Sequence, residues 1–102
     1  MAEHGNSNLN TKKHHLYEIR DSVDDDVFKY GISDGLIDDN GLSKRMRLQV
    51  NFLNLGVNWK RFFARIIIMD IDGRIEAQRL ETEHILAYKK QHVRRPRGNL
   101  ED

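Results

Sequence analysis

The 102-residue chain has no cysteine. That absence removes disulfide frameworks, thiol nucleophiles and cysteine-ligated zinc together, and it permits a reducing cytosol. No stretch approaches the roughly 20 apolar residues of a membrane-spanning helix. The opening residues, MAEHGNSNLNTKKHH, carry no apolar segment of the secretory kind. The expectation is a chain that acts in a cytoplasm, with no membrane among its partners. Proline is nearly missing as well. The single one, Pro96, ends any helix before the tail.

What is present suits one domain with one modest core. Apolar residues make up 38% of the chain and charged residues 32%, so its middle is polar without being disorder-like. The net charge of +1 hides a division. Residues 1–42 carry 4 basic and 9 acidic side chains, a net of −5; residues 43–102 carry 13 and 7, a net of +6. A basic second half fits a polyanionic partner, although most surface charge serves only solvation.

Residues 1–13 are polar and aperiodic and read as a flexible N-terminal arm, leaving 14–102 as a single domain. His15–Arg20 alternates Leu16 and Glu18 against Tyr17 and Ile19, as a strand does. Asp21 to Asp26 is a turn. Its aspartates lack the spacing and central glycine of an EF-hand loop. Val27–Ile32 completes a hairpin. After the turn-rich SDGLIDDNG, Ser43 is placed to cap a helix running to about Leu55, with Leu42, Met46, Val50 and Leu53 on one face. Gly56 is the expected helix stop. Arg61–Ile71 is the strongest strand signal, and its continuous apolar run predicts a central strand covered on both faces. After a turn at Asp72-Gly73, Ile75 to about Lys90 forms a second helix with Ala77, Leu80, His84, Ile85 and Tyr88 on one stripe. The result is an α/β domain: a small three-stranded sheet flanked by helices, in the order β-β-α-β-α.

Chemistry enters with Glu81, which shares the inward stripe of the second helix. A carboxylate on a mostly buried face is costly unless paired or bound to metal. Two readings stand: a partner for an arginine such as Arg45, or a metal ligand. Tyr17 and Tyr30 lie on neighbouring predicted strands, where tyrosines usually pack. A tyrosine acting as a general base needs its phenol brought below its ordinary value near 10 by a neighbouring cation. Arg45, in the first turn of its helix, could meet a phosphate bidentately or be an ordinary surface arginine.

Other motifs fall away. IIIMDIDGR looks like the strand and Asp-x-Asp-Gly start of haloacid-dehalogenase-like phosphatases, but Arg74 stands where a threonine is usual and the chain is short for that fold. Glu81-x-x-His84 has di-iron spacing, but such bundles need the motif twice on four helices. The five histidines form no evident zinc set.

In its ordered motifs the chain resembles the GIY-YIG nuclease superfamily over roughly Leu16 to Asn99. His15-Leu16-Tyr17 stands at the first motif and Phe28-Lys29-Tyr30-Gly31-Ile32 at the second. Arg45 in SKRMR matches the family arginine, Glu81 the glutamate, and Asn99 of PRGN the closing asparagine. The first motif lacks its glycine and isoleucine. With Gly31 aligned, Lys29 occupies the second-tyrosine position, and Gln49 replaces a histidine or tyrosine one turn after the arginine.

The resemblance implies hydrolysis of DNA phosphodiester bonds with one divalent metal, magnesium (Mg2+) or manganese (Mn2+). Glu81 would hold the metal and Tyr17 would activate the attacking water. Arg45, with Lys29 or Tyr30, would position the scissile phosphate, and Asn99 would organise the site. Compact stand-alone domains of this kind resemble toxic tips of bacterial antibacterial effectors, which implies delivery into target cells and an immunity protein that covers the site. The rival expectations are a degenerate, non-catalytic domain that binds nucleic acid or protein, and a nuclease acting on RNA.

Overall fold

The computed structural model describes residues 12–100. Its elements are β1 (Lys13–Asp21), β2 (Asp26–Ser33), α1 (Lys44–Val57), β3 (Phe62–Asp72) and α2 (Gly73–His92), in the expected β-β-α-β-α order. β1 begins at Lys13, the last residue of the stretch read as an arm; residues 1–11 of that stretch lie outside the described residues. No helix among the described residues is long and apolar enough to cross a membrane.

The sheet is antiparallel with strand order β2-β1-β3. β1, not β3, is therefore the central strand, which corrects the expectation for Arg61–Ile71. The apolar run of β3 has another cause. Irregular register at His14/Leu16 and Leu16/Tyr17 lets β3 feed both faces. Ala64 and Ile66 pack under α1, while Ile67, Ile68 and Ile71 pack under α2. At the outer edge Phe63 and Met69 stay exposed. β1 is buried along nearly its whole length even though it carries His14, His15, Glu18 and Asp21.

Alternation along β1 divides the core into two clusters, one on each face of the sheet. Tyr17 and Ile19 point to Met46 and Phe62 under α1, with Leu42, Val50 and Leu53 filling in. Leu16 joins Tyr30, Ile32 and Ile71 against Ala77, Ile85 and Tyr88 of α2. Helix α1 starts where expected: Ser43 Oγ accepts the Met46 amide at 3.3 Å. It ends two residues later than expected. Gly56 stays helical, and Asn58 supplies the left-handed cap at φ 60°. Asparagine tolerates that conformation nearly as well as glycine, so either residue could have stopped the helix. Strand β3 runs directly into α2, with Gly73 at φ +86° making the bend.

On each edge strand one residue has both backbone groups taken by an asparagine side chain. On β3, Asn54 of α1 accepts from Phe62 N at 2.7 Å and donates to Phe62 O at 2.9 Å. On β2, Asn99 accepts from Tyr30 N at 2.8 Å and donates to Tyr30 O at 2.9 Å. The Gly98 amide adds a bond to Phe28 O at 2.7 Å, so the irregular tail lies along β2 like a short added strand. An unpaired edge would invite other chains.

Candidate active site

Tyr17 sits at the centre of β1 with no exposed surface. Its Cα partner on β2 is Gly31. The phenol leans across onto that strand, so closely that a Cβ on residue 31 would lie 2.4 Å from both the ring Cζ and the hydroxyl. A glycine at this point of FKYGI is therefore a packing requirement of Tyr17. The hydroxyl donates to Gln49 Oε1 at 2.6 Å, one turn into α1 from Arg45. Burial pushes the phenol above its ordinary range; the Arg45 guanidinium beside it works in the opposite direction, and Glu81 adds to the rise.

Lys29 lies on the same face of the sheet as Tyr17, paired across β1 with Ile19. Burial lowers its ammonium, the Arg45 charge lowers it further, and Glu81 raises it. Arg45 (α1) and Glu81 (α2) are thus within electrostatic reach of both Tyr17 (β1) and Lys29 (β2). Arg45 is exposed, whereas Glu81 is half-buried. Glu81 arrives from the helix on the opposite face of the sheet.

Tyr30 is not part of this group. It faces α2, where its ring meets His84 edge-on at 5.5 Å and lines a separate cavity of about 540 Å³ with Arg20, Asp26 and Tyr88. Burial raises its phenol too, and the Glu18 charge acts in the same direction. Of the two candidates for the second position, Lys29 is the one on the Tyr17 face of the sheet. Asn99 reaches the site only through the backbone, because both ends of its amide are occupied by Tyr30.

Two open clefts meet at Gln49; Arg45 lines one and Lys29 the other. One, of about 530 Å³, is bounded by His14, Asp34, Lys44, Arg45 and Arg74. The other, of about 340 Å³, is largely apolar and runs between Lys29, Phe28, Phe52 and Leu53. Sequence reasoning had noted Gln49 only as a departure and Arg74 only as a mismatch to another family. The His15 ring packs 6.4 Å from Tyr17, and its Nε2 is buried without a hydrogen-bond partner. Burial lowers its imidazole below the usual range.

Among the described residues no three His, Asp or Glu side chains converge as metal ligands. A cation at Glu81 would therefore have a single protein carboxylate. A hard, strongly hydrated ion such as magnesium, which keeps most of its waters and takes phosphate oxygens, is the kind such a donor suits. Soft or imidazole-seeking metals have no donor set here.

A small α/β domain with one carboxylate and two cations around a buried tyrosine is a suitable frame for phosphate chemistry. The chain belongs to the URI fold toxin 2 (Tox-URI2) family, whose model matches residues 7–92. It is thus a toxin-family domain, and Tyr17, Lys29, Arg45 and Glu81 all fall inside the match, while Asn99 lies beyond it. No curated protein and no solved structure matches the chain significantly.

Proposed function

We propose that this domain is a divalent-metal-dependent endonuclease of the GIY-YIG type that hydrolyses DNA phosphodiester bonds as the toxic module of an antibacterial effector. The observation that carries the reading is the meeting of Tyr17, Lys29, Arg45 and Glu81 from four separate elements in a toxin-family chain. Glu81 would hold the ion, Mg2+ or Mn2+, which supplies Lewis-acid stabilisation of charge developing on the phosphate. Arg45, exposed at the start of α1, binds phosphate oxygens as a bidentate donor. Lys29 supplies a second positive charge at the same phosphate, in place of a second tyrosine hydroxyl.

Tyr17 is the base. Its proton rests on Gln49 Oε1 in the free protein, so Gln49 fixes the direction of the phenol and accepts a hydrogen bond from its acid form. Ionisation of the phenol is favoured by Arg45 and opposed by burial and by Glu81. A cation at Glu81 cancels that last opposition, which couples metal loading to formation of the base. Asn99 holds β2, and hence Lys29, in register. A toxin of this kind requires an immunity protein that covers the cationic mouth of the site.

One observation favours a second reading, a non-catalytic domain that binds nucleic acid: Tyr17 has no exposed surface, and that burial raises its phenol. Parallel digests of duplex DNA and single-stranded RNA by wild type and Tyr17→Phe separate these readings. The nuclease reading expects cleavage of DNA that falls by at least about 100-fold in the variant. Salt-sensitive binding without cleavage of either polymer under Mg2+ or Mn2+ establishes the second reading instead.

A further inference from the structure

The cleft of about 530 Å³ beside Arg45 contains more positive charge than a single scissile phosphate requires. Lys44, Arg45 and Arg74 line it, against Asp34 as the one carboxylate in its wall. Seven of the ten arginines pair with a carboxylate: Arg20, Arg47, Arg61, Arg65, Arg79, Arg94 and Arg97. Among the described ion pairs, none engages Lys44, Arg45 or Arg74. The Arg74 Nε is also buried and has no hydrogen-bond partner. A buried guanidinium N–H without an acceptor is costly, and a bound anion is the simplest group to satisfy it.

Arg74 shares a cleft wall with Arg45, but its backbone is well separated from that of Glu81 along α2. It precedes Glu81 by two turns of α2, roughly 10 Å along the helix axis. Successive nucleotides of one B-form strand rise about 3.4 Å. The spacing thus fits a different phosphate of the same strand.

We propose that this cleft is a second phosphodiester subsite. Arg74 and Lys44 bind a non-scissile phosphate of the nucleic acid and set the register of the strand across Tyr17. The inference rests on the nucleic-acid reading of the site and extends it to a named anchor. Arg74 is a substrate-binding residue in this account, and the chemistry remains with the group around Tyr17.

The test uses the full chain carrying Glu81→Ala, so that binding is read without cleavage. Its affinity for a labelled DNA duplex and for a single-stranded RNA of the same sequence is measured by fluorescence anisotropy against salt concentration. Arg74→Gln and Lys44→Ala are each added, with Lys90→Ala, on an exposed part of α2 away from the cleft, as the control. Each phosphate contact contributes about 0.9 to the slope of log affinity against log salt. Arg74→Gln is expected to flatten that slope by about one and to weaken binding roughly 5- to 10-fold at low salt. Lys44→Ala, at an exposed position that should not disturb folding, is expected to act in the same direction. Lys90→Ala should change affinity less than about twofold. Unchanged slopes for both cleft variants, with a reduced slope for Arg45→Ala, overturn the subsite and leave the nucleic-acid reading intact. Failure of the Glu81→Ala chain to bind either polymer overturns both. Loss on RNA alone or on DNA alone supports the subsite and identifies which strand it holds.

Discussion

Replacing Gly31 by alanine tests the geometry of the site directly. The added Cβ would meet the Tyr17 ring at 2.4 Å, where ordinary contact begins near 3.4 Å. The phenol must therefore retreat by about 1 Å from its place in a closely packed interior. Tyr17 has no exposed surface and packs with Met46 and Ile19, so the ring has no free space to enter. Overpacking of this size costs about 1–3 kcal/mol. The same movement stretches the 2.6 Å bond to Gln49 beyond hydrogen-bonding distance, which costs about 1 kcal/mol more. The sum, roughly 2–4 kcal/mol, corresponds in a domain of this size to a fall in Tm of roughly 10–25 °C. Differential scanning calorimetry reads it. Nicking activity should fall by about 100-fold as well, because a misplacement near 1 Å has that effect on a positioned catalytic group. In a Tyr17→Leu background the stability cost of Gly31→Ala should vanish, since the ring it strikes is gone. A Gly31→Ala chain that melts and cuts like wild type would show that the phenol does not lie on this glycine.

The other predictions concern the base, the edge and the turn. Because burial raises the Tyr17 phenol above its usual value, the phenolate is a minor form at neutral pH, and log kcat/KM should climb by about one per pH unit from 6 to 9; a flat profile removes Tyr17 as the base. Asn99→Ala leaves Tyr30 N and O on an open edge and should cost about 1–3 kcal/mol in urea denaturation, with faster exchange of the Tyr30 amide. Unchanged protection of that amide would contradict the clasp. The Asp21 carboxyl is held at about 2 by the Arg61 guanidinium, with the Val23 and Asp24 amides assisting. Its folded value lies below the unfolded one, so its stabilisation is complete above about pH 4 and is lost as pH falls toward 2, roughly 2 kcal/mol in all. Asp21→Asn should lack that part of the acid response; parallel stability curves for variant and wild type would refute it.

The sequence made the element order legible because each element had a strong local signal. The hairpin followed from alternation, α1 from Ser43 and its apolar face, and α2 from its stripe. The strand order was not legible, for a physical reason. Apolar content marks burial, but the central strand β1 carries His14, His15, Glu18 and Asp21, all buried, and the Arg65 and Arg61 that pair with Glu18 and Asp21 come from β3 and the residue before it. The edge strand β3 reads as more hydrophobic because its irregular register serves two core layers.

The candidate site was partly legible. Tyr17, Arg45 and Glu81 stood at recognisable spacings, but the choice between Lys29 and Tyr30 depended on which face of β2 each occupies. That was set by the pairing of Ile19 with Lys29 and Glu18 with Tyr30. The partnership of Tyr17 with Gln49 joins residues 32 apart in the chain, and Arg74 becomes part of the site only because the first turns of α1 and α2 line one cleft. No local pattern announces either.

The central claim is that Glu81 serves a metal-dependent nuclease. Supercoiled plasmid incubated with the purified chain, with and without Mg2+, beside Glu81→Ala and Glu81→Gln, tests it most directly. The account predicts nicking that requires the metal and disappears in both variants while their circular dichroism and Tm stay close to wild type. Full nicking by a folded Glu81→Ala chain, or intact plasmid in every lane, would contradict it.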